Sequence, residues 1–485
     1  MGDDGDPGGD GDHHGRDGDD HGRDGDDHGR DGDDHGGAGG DHGGAGGDHG
    51  GAACGAPDGT AYHLRPRSGW LNDPNGMVFT GGRWHVFYQH NPEAARHDRI
   101  AWGHASSTDL LRWEHHPVAF GPTEGGPDAF GCWSGVVVPT ADGAVALYTG
   151  VVDETQVSTV CLRHGDEDLV LWSAPQVVAA QPGAPVRVMR DPFVLQHGGR
   201  RWALLGAGLE DGTPAVLLYD CTDLDDWLYA GIWLRGEGVE LAGALPADVW
   251  ECPQLVLLGD GDAALILSLH DRGRLTRVVS VGGRILDEGG VPRFAPSGVE
   301  VLDAGQAFYA PQVAADPGPG AWLMGWVREE DRPAGGPDHA GCLTLPRRVV
   351  RDPDGGHEGA VRLVLDPLVA AGLPLGAVGT PASGADEVLD RAAQVEALAD
   401  GARLVHPELG AVDLRAGTRV LVDADVVEVY PVAGPTITHR HPRPWSLVVP
   451  AEAAAPVVEV RPVEVSRLRP RSTPADRPDP VEPRR

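Results

Sequence analysis

Three acidic residues stand in short motifs that mix polar and aromatic residues, a composition more typical of a reactive site than of a core. Asp73 lies in WLNDPNG, Asp191 in RDP and Glu251 in WECP. An ionised carboxylate can attack an electrophilic carbon, and a protonated carboxyl group can give a proton to a leaving group. The three acids are therefore candidates for nucleophilic and general acid–base chemistry.

The neighbours of two of these acids favour different protonation states. Trp250 and Cys252 flank Glu251 with an indole and a thiol, and such apolar surroundings favour the protonated form. Arg190 precedes Asp191, and its positive charge favours the ionised form of that acid. We therefore expect Glu251 to donate a proton while Asp191 stays charged.

The acids belong to an internal repeat. Five strand-like segments open about 60 residues apart, at Asp73, Ser134, Asp191, Glu251 and Ala310. Between them, short apolar runs alternate with Gly, Asp and Pro turns, which is typical of β-hairpins. Five such copies are the pattern of a β-propeller with one four-stranded blade per copy. Equivalent positions of the innermost strands meet at one end of the channel, so we expect the acids, at equal offsets, to share one cavity.

The predicted fold is all-β, and its domains follow from where the repeat stops. Residues 57–360 are expected to form the five-bladed β-propeller, and the short strands of 361–466 a β-sandwich. Residues 1–56 repeat GRDGDDH and GGAGGDH without apolar positions, and residues 467–485 are rich in Pro and Arg. Such segments cannot bury enough apolar surface to fold, so both are expected to be disordered tails.

Composition excludes several classes of function. The 485 residues carry a formal charge of −34, and all 39 basic residues are arginine. Without lysine, Schiff-base chemistry and a phosphate-loop lysine are excluded. The acidic chain disfavours nucleic-acid and anionic membrane partners. No apolar run approaches the roughly 20 residues that a spanning helix needs.

Cysteine usage and the start of the chain bear on its compartment. The six cysteines form no CxxC pair, which argues against a zinc site and a disulfide framework, so reduced thiols are expected. The chain begins MGDDGD, without the basic and apolar regions of an export signal. We therefore expect a cytoplasmic protein.

Seven motifs together resemble the glycoside hydrolase family 32 β-fructosidases, which include invertases, sucrose hydrolases, levanases and inulinases. They occur in the family's order between about residues 60 and 350, and DVVEVY (425–430) is a weaker match further on. The resemblance implies a five-bladed propeller followed by a β-sandwich. It also implies retaining hydrolysis of terminal β-D-fructofuranosides, such as sucrose, sucrose 6-phosphate or short fructans. The motifs are WLNDPNG, FYQHNP, WGHASSTDLLRW, CWSG, RDP, WECP and FYAPQ.

The same resemblance implies roles for individual residues. Asp73 matches the nucleophile, Glu251 the acid/base and Asp191 the transition-state stabiliser that binds fructose hydroxyls. Carboxylates alone would carry this chemistry on a small carbohydrate, so we expect no cofactor and no metal. A retaining mechanism predicts roughly 5–6 Å between the carboxyl carbons of Asp73 and Glu251. The residues that match the family's fructose pocket are Asn72, Gln89, Trp102, Trp133, Ser134 and Arg190.

Two other interpretations compete with a β-fructosidase. A five-bladed arabinosidase or xylosidase would use three acids but invert configuration, and WLNDPNG and WECP argue against it. A non-catalytic fructan-binding protein could use the same propeller as a platform. The presence of all three acids favours an enzyme, because a pure binding protein gains nothing from carboxylates that repel one another.

Overall fold

Short aliphatic and aromatic runs between Gly and Asp turns form β-strands along almost the whole described chain. The computed structural model describes residues 62–141, 143–238, 246–315, 321–329, 338–453 and 455–468. The expected tail 1–56 and residues 469–485 of the expected C-terminal tail lie outside these ranges. No helix within them has the length and apolar character needed to cross a membrane.

Five sheets follow one another along the chain, and each is an antiparallel meander that starts at the channel. Blade 1 contains β1 (Gly69–Thr80), β2 (Arg83–Asn91), β3 (Ala101–Ser107) and β4 (Glu114–His115). Blade 2 contains β5 (Gly131–Thr140), β6 (Gly143–Val151), β7 (Ser158–Gly165) and β8 (Gln176–Ala180). Blade 3 contains β9 (Val186–His197), β10 (Arg200–Leu209), β11 (Pro214–Asp220) and β12 (Leu228–Arg235), followed by a 3-10 turn at Gly236–Gly238.

Blades 4 and 5 complete the ring. Blade 4 contains β13 (Val249–Gly259), β14 (Asp262–Asp271), β15 (Arg274–Glu288) and β16 (Val291–Val301). The segment that forms blade 5 contains β17 (Phe308–Ala315), β18 (Ala321–Val327), β19 (His339–Ala340), β20 (Cys342–Leu343), β21 (Arg347–Arg351) and β22 (Val361–Leu365).

The propeller is closed by a strand from the last blade. The innermost strands β1, β5, β9, β13 and β17 contact one another in a ring. β19 leaves the last blade and pairs in parallel with β1, where Gly69 lies opposite His339. This pairing joins the end of the propeller to its beginning, so no blade edge is left open at the junction.

A β-bulge near the start of each innermost strand decides which side chains reach the channel end. In β9, β13 and β17 the ladder skips two residues after Arg190, Glu251 and Tyr309, respectively. The skipped pair begins with Asp191 (φ 60°) in β9 and with Cys252 (φ 46°) in β13. Glu251 is therefore equivalent to Arg190 and Tyr309, whereas Asp191 is the first and Asp73 the second residue of the skipped pair in its strand. The expectation that the three acids share one offset is wrong, since they occupy three successive positions. Because a bulge re-aims side chains, neighbouring residues can serve the same cavity.

After the short helix α1 (Pro367–Gly372), two further sheets form the β-sandwich. Their facing sides are filled with buried valines, leucines and alanines. The all-β prediction of a five-bladed propeller followed by a sandwich is confirmed. The strands are β23 (Asp386–Leu389), β24 (Ala393–Ala397), β25 (Ala402–His406), β26 (Gly410–Leu414), β27 (Arg419–Asp423), β28 (Val426–Tyr430), β29 (Ile437–Arg440), β30 (Trp445–Val448) and β31 (Val458–Pro462), before a 3-10 turn at Val465–Leu468.

A buried ionic group joins the sandwich to the last blade. The Arg347 guanidinium on β21 lies 2.9 Å from Asp303 Oδ2 and 3.4 Å from Glu428 Oε2 on β28, and all three side chains are fully buried. A charge that is buried away from solvent is costly unless an opposite charge lies beside it. The position of the sandwich against the propeller is therefore fixed by charge pairing as well as by apolar packing.

Candidate active site

The three acids meet at one end of the channel, around the thiol of Cys252. Its Sγ lies 3.5 Å from Asp191 Oδ2 and 3.8 Å from Asp73 Oδ2, and its backbone N–H donates to Asp191 Oδ2 at 3.0 Å. Glu251 immediately precedes it, close enough for its charge to act on both aspartates. Blades 1, 3 and 4 thus place one carboxyl group each in a single cavity.

Asp73 on β1 is held by three hydrogen-bond donors from two blades. Asn72 Nδ2 donates to Oδ1 at 3.0 Å, whereas Gln89 Nε2 and Ser134 Oγ donate to Oδ2 at 3.0 and 2.7 Å. Burial raises the pKa of Asp73 to about 6, and the charge of Glu251 adds to the rise while the donors oppose it. At neutral pH the carboxylate is therefore mainly ionised and fixed in orientation.

The Asn72 amide is itself oriented by an indole. Trp70 Nε1 donates to Asn72 Oδ1 at 2.8 Å, which leaves Asn72 Nδ2 to face Asp73. Gln89 also hydrogen-bonds Ser134, so the donors around the carboxylate form one connected group. Such connected groups hold a reactive side chain in one rotamer.

Glu251 has partners at the equivalent positions of the two neighbouring blades. Arg190 Nη1 donates to Oε1 at 2.9 Å and the Tyr309 hydroxyl donates to Oε2 at 2.8 Å. The guanidinium of Arg190 therefore binds the acid of the next blade, while its charge still lowers the pKa of Asp191 as expected. Tyr309 was missing from the predicted site, although its place in FYAPQ, the fifth copy of the repeat, could have identified it.

Asp191 is the most enclosed of the three acids. Its side chain is buried, and its backbone N–H donates to Thr149 Oγ1 at 2.7 Å. Burial raises the pKa of Asp191 to about 7; Arg190 opposes this, while Glu251 and Asp73 add to it. The expectation that Arg190 keeps Asp191 fully ionised is thus not met, because desolvation outweighs the neighbouring cation.

Two predicted aromatic residues have different environments. Trp133 lies beside the acids, with the Arg190 guanidinium 5.0 Å from the centre of its ring. Trp102 is fully buried and stacks on Phe120 at 4.9 Å, so the expectation that it lines the pocket is wrong. Its Nε1 donates to the Trp133 carbonyl at 3.1 Å, which makes it a support behind the pocket.

This arrangement can carry out displacement at carbon with proton transfer. It offers an oriented carboxylate, Asp73, that can attack, and a second acid, Glu251, held by a cation and a phenol. Asp191 supplies a third carboxyl group to accept hydrogen bonds from a polyhydroxylated ligand.

Comparison with known proteins shows which family the matched region resembles. The model of the glycosyl hydrolases family 32 N-terminal domain matches residues 63–360. A raffinose invertase of Escherichia coli is 33% identical over 310 residues, which cover 59% of this chain and 61% of that protein. A sucrose-6-phosphate hydrolase of Zymomonas mobilis is 32% identical over 303 residues, or 59% of each chain. The matched region thus spans less than two thirds of either relative.

Solved structures extend the likeness to the whole fold. A sucrose-6-phosphate hydrolase from Lactobacillus gasseri superposes with a TM-score of 0.68 at 20% identity, covering 84% of this chain and 93% of that one. A β-fructofuranosidase of Bombyx mori gives 0.66 at 22% identity, covering 83% and 93%. At such identities the likeness concerns the fold. Since the family model matches more than half of the sequence, the chain belongs to glycosyl hydrolase family 32.

Proposed function

We propose that this protein is a retaining hydrolase that releases fructose from terminal β-D-fructofuranosides. The observation that carries the proposal is the Asp73 carboxylate, held by three donors in the cavity that also contains Glu251 and Asp191. The relatives named as raffinose invertase and sucrose-6-phosphate hydrolase support sucrose-like substrates. In this proposal the propeller (57–360) is the catalytic unit, and the sandwich (361–466) supports it.

The reaction follows from the two oriented acids. Asp73 attacks the anomeric carbon of the fructosyl unit while Glu251 gives its proton to the departing glycosidic oxygen. The covalent fructosyl–enzyme ester is then hydrolysed by a water from which Glu251, now ionised, takes a proton. Two inversions at the same carbon leave its configuration unchanged, which is the meaning of retention.

The other residues bind and orient the fructosyl unit. Asp191, whose carboxyl group lies inside the cavity, accepts hydrogen bonds from fructose hydroxyls. Arg190 holds Glu251 and forms one wall of the site together with Trp133. Gln89 and Ser134 fix the direction from which Asp73 attacks.

Product analysis tests the proposal. The purified protein is incubated with sucrose, sucrose 6-phosphate, inulin and levan, and released fructose is followed by chromatography. Proton NMR of the first-formed product should show the β-anomer, and Asp73→Asn should abolish release. An inverted product, with activity on arabinosides, would favour the arabinosidase or xylosidase interpretation. Fructan binding without turnover would favour a binding protein.

A further inference from the structure

Asn75, the second asparagine of WLNDPNG, is fully buried, and only one end of its amide has a protein partner. Its Oδ1 accepts the backbone N–H of Gly135 on β5 at 3.2 Å, which also fixes which end of the amide is the oxygen. Among the residues that the structure describes, none accepts a hydrogen bond from Asn75 Nδ2. A buried donor without an acceptor is costly, and in proteins such groups commonly bind a buried water.

A small recess of the channel, here called the floor recess, lies between Asn75 and Asp191. Its volume is about 10 Å³, which is close to the room that one buried water needs. A sugar ring is far too large for it, so the floor recess is distinct from the space that a fructosyl unit would occupy. The polar side chains and the thiol that line it are Asn75, Ser134, Asp191, Cys252, Gln254 and Gln312.

Two glutamines that line the floor recess are already bound to the backbone of neighbouring blades. Gln254 Oε1 accepts the Val313 N–H at 3.0 Å. Gln312 Oε1 accepts the Met77 N–H at 3.0 Å, and its Nε2 donates to the Gly135 carbonyl at 2.8 Å. These contacts hold both amides in place. Neither glutamine therefore supplies the missing acceptor.

The carboxyl group of Asp191 is the strongest acceptor in the floor recess. Its Oδ2 accepts the backbone N–H of Cys252 at 3.0 Å and lies 3.5 Å from the thiol of the same residue. Within the described part of the chain, Asp191 Oδ1 receives no hydrogen bond from a protein donor. Carboxylate oxygens accept stronger hydrogen bonds than neutral groups do. A water that accepts from Asn75 Nδ2 has two hydrogens to give, and one of them can reach this carboxyl group.

We propose that Asn75 and Asp191 bind one water molecule in the floor recess, and that this water fixes the Asp191 carboxyl group in the rotamer that accepts fructose hydroxyls. A cation is disfavoured there, because Asn75 presents an N–H donor. Asn75 acts through the water and through Asp191, so it is a positioning residue. The part played in fructose binding rests on the proposed function, whereas the water site does not depend on which sugar the protein cleaves.

Crystallography of the full chain tests the water site directly. In the wild-type protein we expect an ordered water within about 2.7–3.2 Å of both Asn75 Nδ2 and a carboxyl oxygen of Asp191. Asn75→Leu keeps the number and branching of the side-chain atoms but removes the donor, and the water should be lost. A well-ordered wild-type structure without this water would overturn the inference. A water that is bound equally in both proteins would also overturn it.

Steady-state kinetics tests the positioning role. For Asn75→Leu we expect KM for sucrose to rise tenfold or more, and calorimetry should show a matching loss of affinity for fructose. A merely structural role would lower Tm and the active fraction, and hence kcat, without changing KM. Gln394→Leu, which replaces a buried amide of β24 in the sandwich, is the matched control and should leave KM unchanged. An unchanged KM in Asn75→Leu would overturn the positioning role.

The two experiments separate failure of this inference from failure of the proposed function. If the wild-type protein released no fructose from any of the tested sugars, the proposed function would fail, and the crystal structure would still decide whether the water site exists. If fructose were released but the wild-type structure lacked the water, the inference would fail while the proposed function stood.

Discussion

Arg190 Nη1 donates to Glu251 Oε1 at 2.9 Å, from the innermost strand of one blade to the equivalent position of the next. This contact determines how charge is distributed in the site. The arginine is adjacent to Asp191 in sequence, yet it holds the acid of the following blade. Burial raises the pKa of Asp191 to about 7, and the charge of Arg190 only partly opposes this rise.

The pH dependence of turnover should report the ionisation of Asp73. Because the attacking carboxylate must be ionised and its pKa is raised to about 6, kcat/KM for sucrose should fall tenfold per pH unit below about pH 6. Ser134→Ala removes a hydrogen bond that favours the carboxylate, so the acidic limb should move to higher pH. A pH profile of kcat/KM for both proteins is the measurement. A limb that stays in place or moves to lower pH would contradict this assignment.

Removing the buried charge of Asp191 should stabilise the fold in a pH-dependent manner. Since burial raises its pKa from 3.8 to about 7, ionisation disfavours the folded state once the pH rises through this window. Asp191→Asn should therefore raise the free energy of unfolding by about 1–3 kcal/mol at pH 8, and by little at pH 4. Urea denaturation at the two pH values checks this. A gain that is larger at pH 4 than at pH 8 would have the wrong sign.

The ionic group between propeller and sandwich should be important for stability. Arg347→Met leaves Asp303 buried without its 2.9 Å partner, and breaking such a pair typically costs about 3–5 kcal/mol. Thermal unfolding should show a clearly lower Tm, whereas the exposed control Arg415→Gln should change the free energy of unfolding by less than about 0.5 kcal/mol. Equal Tm values for the two variants would mean that apolar packing alone holds the sandwich.

Much of the site could be predicted because the repeat places reactive side chains near the start of the innermost strand in several blades. The constant spacing indicated that Asp73, Asp191 and Glu251 start inner strands of different blades, and the structure places them in one cavity. The bulges could not be predicted, since two unpaired residues leave no mark in the spacing. For this reason the expected equal offsets were wrong, by one residue between Glu251 and Asp191 and by two between Glu251 and Asp73. Tyr309, at the position equivalent to Glu251, was missed for the same reason.

Trp102 shows a second limit of sequence reasoning. An aromatic residue inside a polar motif is compatible with a pocket wall and with packing between blades, and only burial distinguishes the two. In the structure Trp102 is fully buried and stacks on Phe120. The partner of Arg190 was likewise hidden, because adjacency in sequence says little about which blade a long side chain reaches.

The central claim, that Asp73 attacks and Glu251 supplies the proton, is tested most directly with a substrate whose leaving group needs no protonation. Turnover of sucrose and of fructosyl fluoride is compared for Glu251→Gln and Asp73→Asn. Glu251→Gln should lose about 10²- to 10⁴-fold on sucrose and recover part of that loss on the fluoride. Asp73→Asn should recover nothing, because a better leaving group still lacks a nucleophile. Equal recovery in both variants, or recovery in Asp73→Asn alone, would contradict the assignment.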